Sequence, residues 1–191
     1  ESESRGLGDV YKRQAICLLT INAYAIEKIV LFGDSLMAGY GLSNEHHLSV
    51  VLKESLESKG YSIEVVNGSV SGSTSSGGFN RANWTLSEPD IDLMVLCLGA
   101  NDMLRGINPS ETKNNLEKII KIAHNKNIKV ILAGIIAPTS HGYKYKKKFD
   151  KIFPDLAKKF KLKFIPFLLD GVAMRPELNL SDGIPVSYTH L

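Results

Sequence analysis

Residues 28–32, Lys-Ile-Val-Leu-Phe, form an apolar run without alternation, the pattern of a strand covered on both faces. Runs of the same kind follow at 63–66, 93–98 and 130–135, with a weaker one at 163–166. Between them, apolar residues recur every three or four positions, as on one face of a helix. Leu48, Val51, Leu52 and Leu56 make one such stripe, and Leu116, Ile119, Ile120 and Ala123 a second. The second has a well-marked start: Asn108 as cap, Pro109 at the first helical position and Glu111 to close a capping box. A third stripe, Phe149, Ile152, Phe153, Leu156 and Phe160, contains Pro154, which predicts a break or a kink.

Strands alternating with helices predict right-handed crossovers and a parallel sheet. The expected fold class is therefore α/β, a three-layer α/β/α sandwich around a parallel, flavodoxin-like sheet. Sites in such folds sit at the carboxyl ends of the strands. The polar clusters of this chain lie there: Gly33-Asp34-Ser35, then residues 67–78, then Gly99-Ala100-Asn101-Asp102. Three strand ends can bring such loops to one edge of the sheet. The Ser/Gly-rich stretch 68–78 reads as a functional loop rather than a linker.

Composition agrees with a folded domain. The 191 residues are 43% hydrophobic and 23% charged, enough for one core without staples. The net charge of +3 does not argue for nucleic acid. Lysines cluster along the third stripe, where Lys147, Lys148, Lys151, Lys158 and Lys159 fall largely opposite the apolar residues. A solvated helix face is the simpler reading and a polyanion-binding surface the alternative. The two cysteines, Cys17 and Cys97, make neither a disulfide framework nor a zinc site, and Cys97 reads as a core residue. Near the N-terminus, Lys12 and Arg13 precede a short apolar run, and Ala23-Tyr24-Ala25 has the small-x-small form of a signal-peptidase site. The run is too short to span a bilayer, so export is expected and stable membrane insertion is not. Neither pattern nor motif specifies an oligomeric state.

Ser35 stands just after a buried strand, following Gly33 and Asp34, with Gly39 and Gly41 close behind. A serine there is exposed and its N–H is given a direction, yet it needs a base to become a nucleophile. Taken alone, Gly-Asp-Ser is also a common turn or helix cap. An acyl-transfer site needs preset donors for the developing oxyanion. Gly72 can offer a closely approached N–H and Asn101 a carboxamide, although singly they read as a loop glycine and a turn residue.

Together, Gly33-Asp34-Ser35-Leu36, Asn67 with Gly72, and Gly99-x-Asn101-Asp102 resemble the successive blocks of the SGNH (GDSL) hydrolase family. Gly39-Tyr40-Gly41, the segment 70–75, Leu104-Arg105-Gly106 and Phe153-Pro154-x-Leu156-Ala157-x-x-Phe160 are similar to its bacterial thioesterase, arylesterase and lysophospholipase branch. The resemblance spans residues 27–184. It implies Ser35 as nucleophile, an oxyanion hole from the Ser35 N–H, the Gly72 N–H and the Asn101 side chain, and Asp182 as the aspartate that orients the family's histidine. It also implies that residues 103–108 border the acyl pocket. The substrates implied are small-molecule acyl esters and thioesters, including lysophospholipids, with no metal or organic cofactor.

One family feature departs. The pattern Asp-x-x-His-Pro is met here by Asp182-Gly183-Ile184-Pro185, with proline where the histidine belongs. Proline offers no proton acceptor, so an impaired chain is expected. His190 lies eight positions past Asp182, in a tail unlike the family. His46 and His47 are expected to face solvent at a helix start, His124 sits near a helix end, and His141 could approach the site rim. Residues 1–26 and 185–191 read as signal-like or foreign sequence around a domain at 27–184 that lacks the family's last helix. A non-catalytic module holding acyl or glycan ligands is the competing reading. A P-loop, a dinucleotide fingerprint and a G-x-S-x-G elbow are all absent from the sequence.

Overall fold

After Lys28, every side chain of β1 (Lys28–Gly33) is buried, because the strand lies inside a sheet with helices on both sides. The computed structural model describes residues 26–172. Within them β2 (Glu64–Asn67), β3 (Leu93–Cys97), β4 (Lys129–Ala133) and β5 (Lys163–Ile165) join β1 in one sheet of order β2-β1-β3-β4-β5. All neighbouring pairs are parallel. This is the flavodoxin-like order, and it places the switch point between β1 and β3. The α/β sandwich expected from the sequence is therefore present, with strand ends that differ by one or two residues.

The helices are α1 (Ser35–Ala38), α2 (Leu48–Ser58), α3 (Ser75–Thr85), α4 (Ala100–Leu104), α5 (Pro109–Asn125), α6 (Tyr143–Asp150) and α7 (Ile152–Phe160). Right-handed crossovers put α2 on one face of the sheet and α3, α5 and α7 on the other. Sheet register shows how the two faces differ. Phe32, Leu96 and Leu132 form a row that is wholly buried. Gly78 of α3 brings its backbone down on that row, since an added Cβ would meet Leu98 at 2.4 Å and Phe32 at 3.4 Å. The row on the other face, Leu31, Val95 and Ile131, is buried only at Leu31 and half-buried beyond it.

Two local expectations change. The stretch 68–78 is not all loop, because α3 begins within it at Ser75 with Thr74 as N-cap, its hydroxyl accepting the Gly77 N–H at 3.2 Å. Low helix propensity hides this helix, and packing against the sheet overrides it. The break in the lysine-rich helix falls at Lys151, three residues before Pro154. Proline has no N–H for the carbonyl of the residue four before it, and its ring crowds that carbonyl. That residue is Asp150, the last of α6. Pro154 itself sits in the first turn of α7, where its missing N–H costs nothing. Asn108 caps α5 as expected, its Oδ1 accepting both the N–H (3.1 Å) and the hydroxyl (2.9 Å) of Ser110.

Candidate active site

Gly33 is glycine because β3 runs too close for anything larger: an added Cβ would meet the Cys97 carbonyl at 2.8 Å and Met37 Sδ at 2.7 Å. Asp34 caps α1, its Oδ1 accepting the Leu36 N–H at 3.1 Å. Ser35 is thereby the first residue of a helix at the carboxyl end of a central strand. Its N–H, like every N–H of a first turn, has no intrahelical partner. The Ser35 side chain is half-buried and makes no hydrogen bond to a described residue. Gly39 ends α1 in the left-handed conformation (φ 80°), and the His47 ring lies over it. His47 is therefore half-buried rather than turned to solvent, with Nε2 3.2 Å from the Leu42 carbonyl.

Gly72 occupies the third position of a turn closed by Ser73 N–H to the Val70 carbonyl at 3.1 Å. Its φ is 76° while Ser71 keeps an ordinary negative φ, the type II geometry that favours glycine there. An added Cβ would meet nothing within 4 Å, so conformation alone selects the residue.

The three strand-end loops are tied to one another. Val70 N–H donates to the Gly33 carbonyl at 3.1 Å, and Asn67 Nδ2 to the Ala38 carbonyl at 3.3 Å. These bonds join the β2 loop to the Ser35 segment. Asn101 Nδ2 donates to the Ser73 carbonyl at 3.2 Å, and Arg105 Nη2 to the Gly72 carbonyl at 3.1 Å. These join the β3 loop to the Gly72 turn. An amide nitrogen carries two protons, so the bond to Ser73 leaves Asn101 one more to give.

Beneath these loops lies a network to which the sequence reading gave no role. Buried Asp102 accepts the Ser75 N–H at 2.7 Å, the Ser75 hydroxyl, and the Thr112 hydroxyl at 3.1 Å. Asn115 Nδ2 donates to Ser75 Oγ at 3.1 Å. The signal was present in α5, where Thr112 and Asn115 interrupt the buried stripe of Leu116, Ile119 and Ile120. Arg81 is a second unrecognised tie: its guanidinium lies 4.0 Å over the Phe32 ring and donates to the Gly33 (2.9 Å) and Gly68 carbonyls.

Electrostatics follow from burial. Removal from water pushes the Asp34 carboxyl from 3.8 up to about 6, and Asp102 adds to the rise, while the Leu36 N–H opposes it. Asp34 Oδ2 is buried without a hydrogen-bond partner. The surface above carries exposed apolar side chains from each loop: Tyr40, Val70 and Leu104. Beside the β3 loop lies a cavity of about 430 Å³, lined by Gly106, Asn108, Pro109, His141, Lys144, Tyr145 and Lys148. His141 is thus near the 103–108 loop, whereas His124 packs edge-on to Phe160. None of the four described histidines bonds Ser35. Among the described residues no group of three or more His, Cys, Asp or Glu side chains is placed to hold a metal ion. Asp182 and His190 lie outside the described residues.

A model of the GDSL-like lipase/acylhydrolase family matches residues 31–191. The chain belongs to this family. It is 35% identical over 166 residues to an arylesterase of Vibrio mimicus, covering 87% of this chain and 83% of that protein. It is 34% identical over 169 residues to thioesterase 1/protease 1/lysophospholipase L1 of Escherichia coli K12, covering 88% and 80%. Among solved structures, AlinE4, an SGNH-hydrolase family esterase, superposes with a TM-score of 0.77 at 38% identity, over 82% of this chain and 88% of that one. The GDSL-like blocks read from the sequence are the same three loops that the fold ties together at one edge of the sheet.

Proposed function

We propose that this chain carries the site of a serine hydrolase of carboxylic esters and thioesters. Ser35 Oγ is the nucleophile. The Ser35 N–H, the Gly72 N–H and the Asn101 carboxamide receive the oxyanion, and Asp182 is the aspartate of the triad. The observation that carries this reading is the lacing of three distant segments by Val70–Gly33, Asn101–Ser73 and Arg105–Gly72 hydrogen bonds. Preset donors are what acyl transfer requires. The exposed Tyr40, Val70 and Leu104 around those donors suit an acyl substrate. The basic and apolar segment before Ala23-Tyr24-Ala25 supports export.

Pro185 stands where the family's base belongs, three residues past Asp182. Turnover by this chain is therefore slow, and that residue also favours the second reading, a module that holds acyl or glycan ligands without hydrolysis. The test is p-nitrophenyl ester and acyl thioester hydrolysis by the chain, by Pro185→His, and by Ser35→Ala in both backgrounds. The expected result is weak hydrolysis raised by Pro185→His and lost with Ser35→Ala. Hydrolysis that survives Ser35→Ala would overturn the nucleophile, and ligand binding with no gain from Pro185→His would favour the module.

A further inference from the structure

β2 is an outer strand of the sheet, and among the described residues no strand pairs with its far side. The Glu64 and Gly68 N–H groups donate inward, to the Glu27 and Leu31 carbonyls, at 2.8 and 2.9 Å. In a parallel ladder alternate residues face the same neighbour, so the N–H and C=O groups of Val65 and Asn67 point away from β1. An outer edge of this kind is a template for another extended chain. Val66 is in register with Val30, two residues before Phe32, so Val66 and Glu64 lie on the α3 side of the sheet. On that side a cavity of about 390 Å³ is lined by Val66, Asn67 and Gly68 from the strand end and by Trp84, Thr85 and Glu88 from the end of α3 and the turn after it. Trp84 is 81% exposed, the highest value for a large apolar side chain among the described residues. The charge beside the cavity is uneven. Lys28 Nζ is shared by Glu64 at 3.4 Å and Glu88 at 2.9 Å, which leaves one negative charge over. Arg81 does not offset it, since its guanidinium is spent on the Phe32 ring and the Gly33 and Gly68 carbonyls. Lys59 stands at the end of α2, on the opposite face.

We propose that the outer edge of β2 binds an extended polypeptide segment as an added strand, with an apolar side chain against Val66 and Trp84 and a basic one two positions away against Glu64 and Glu88. Main-chain bonds to Val65 and Asn67 supply the pairing, and alternate side chains of the segment supply the selectivity. Residues directly opposite on neighbouring strands are close enough to interact, so the spacing of Glu64 and Val66 sets the spacing in the partner. A second copy of this chain suits the edge less well, because it would bring two further carboxylates to the seam for one further ammonium. The site uses none of the residues proposed for hydrolysis, so neither reading depends on the other.

The test is titration of the full chain with the peptide acetyl-Thr-Lys-Thr-Leu-Thr-Lys-Thr-amide, read by tryptophan fluorescence. Trp84 is the only tryptophan of the chain, so its emission reports on this groove alone. The peptide is a palindrome with leucine at its centre and lysine two positions to either side, so it fits either strand direction. A saturable blue shift is expected, with roughly tenfold weaker binding when glutamate replaces both lysines. Glu64→Gln/Glu88→Gln is expected to erase that difference, and added salt to shrink it. Val65→Pro deletes one outward N–H at a position where an edge strand tolerates proline, and is expected to weaken the peptide roughly tenfold while the unfolding transition is retained. No shift with the peptide, equal binding of the lysine and glutamate versions, or binding that a folded Val65→Pro chain leaves untouched would overturn the proposal. So would a dimer in sedimentation that Val65→Pro dissolves, since the edge would then belong to a second copy.

Discussion

Asp102 holds Ser75 by both its backbone N–H, at 2.7 Å, and its hydroxyl, and so fixes the start of α3 to the start of α4. The Gly72 turn and Asn101 are each within three residues of one end of this tie. Their mutual placement therefore depends on a buried carboxylate that needs no contact with substrate.

Replacing Asp102 with alanine strands the Ser75 N–H, the Ser75 hydroxyl and the Thr112 hydroxyl in a buried site. Urea unfolding is expected to show a loss of about 3 kcal/mol. Thr112→Val keeps the shape and removes a single donor, so its loss should be about 1 kcal/mol or less. Equal losses in the two variants would mean that Asp102 does not centre the network.

Asp34 gives a pH dependence with a definite sign. Its carboxyl is raised from 3.8 to about 6 in the folded chain, chiefly by burial. The folded state thus holds the proton more tightly than the unfolded one. The resulting stabilisation is complete below about pH 4 and is lost as pH rises through about 6. Asp34→Asn keeps the acceptor for Leu36 and does not ionise. Relative to this variant the parent should lose up to about 3 kcal/mol between pH 4 and pH 8, read from urea unfolding across that range. A difference that does not change with pH would refute the assignment.

Glycine substitutions separate conformation from space. Gly72→Ala meets no neighbour, so it pays only for its positive φ, about 1 kcal/mol. Gly134→Ala would put a Cβ 2.3 Å from the Pro166 carbonyl oxygen, backbone against which nothing can rotate away. Thermal unfolding should show a loss of about 3 kcal/mol at Gly134. Ester hydrolysis in the Pro185→His background should fall at Gly72 even though that variant remains folded.

Arg105→Ala removes the 3.1 Å bond to the Gly72 carbonyl from an exposed side chain. Stability should change by no more than about 0.5 kcal/mol. If Gly72 is the oxyanion donor proposed above, kcat in the Pro185→His background should fall more than KM rises, because the bond then orients that donor rather than binding substrate. A change in KM alone would place Arg105 in ground-state binding.

The strands were legible because central strands buried on two faces cannot alternate, as residues 28–32 and 93–98 show. The polar blocks at their ends were legible because a parallel sheet gathers strand ends. What escaped was structure made by tertiary contact. α3 begins Ser-Ser-Gly-Gly, and only Phe32 and Leu98 beneath it explain why glycine belongs in that helix. Asp102, Ser75, Thr112 and Asn115 come from three separate segments: the polar breaks in the buried stripe of α5 mark Thr112 and Asn115, but nothing local announces that they meet Asp102 and Ser75. Arg81 shows its role only once the fold lays it over Phe32. His47 likewise becomes a cover for Gly39 only when α1 and α2 are brought together.

The stop at Asp150 has an evolutionary reach. Of the eight residues from Tyr143 to Asp150, Phe149 alone is buried, and the next helix makes its own anchorage through Ile152, Phe153, Leu156 and Ala157. Substitutions in the short basic segment therefore need little repacking elsewhere. Single surface changes can accumulate there while the strands that carry the three tied loops stay as they are.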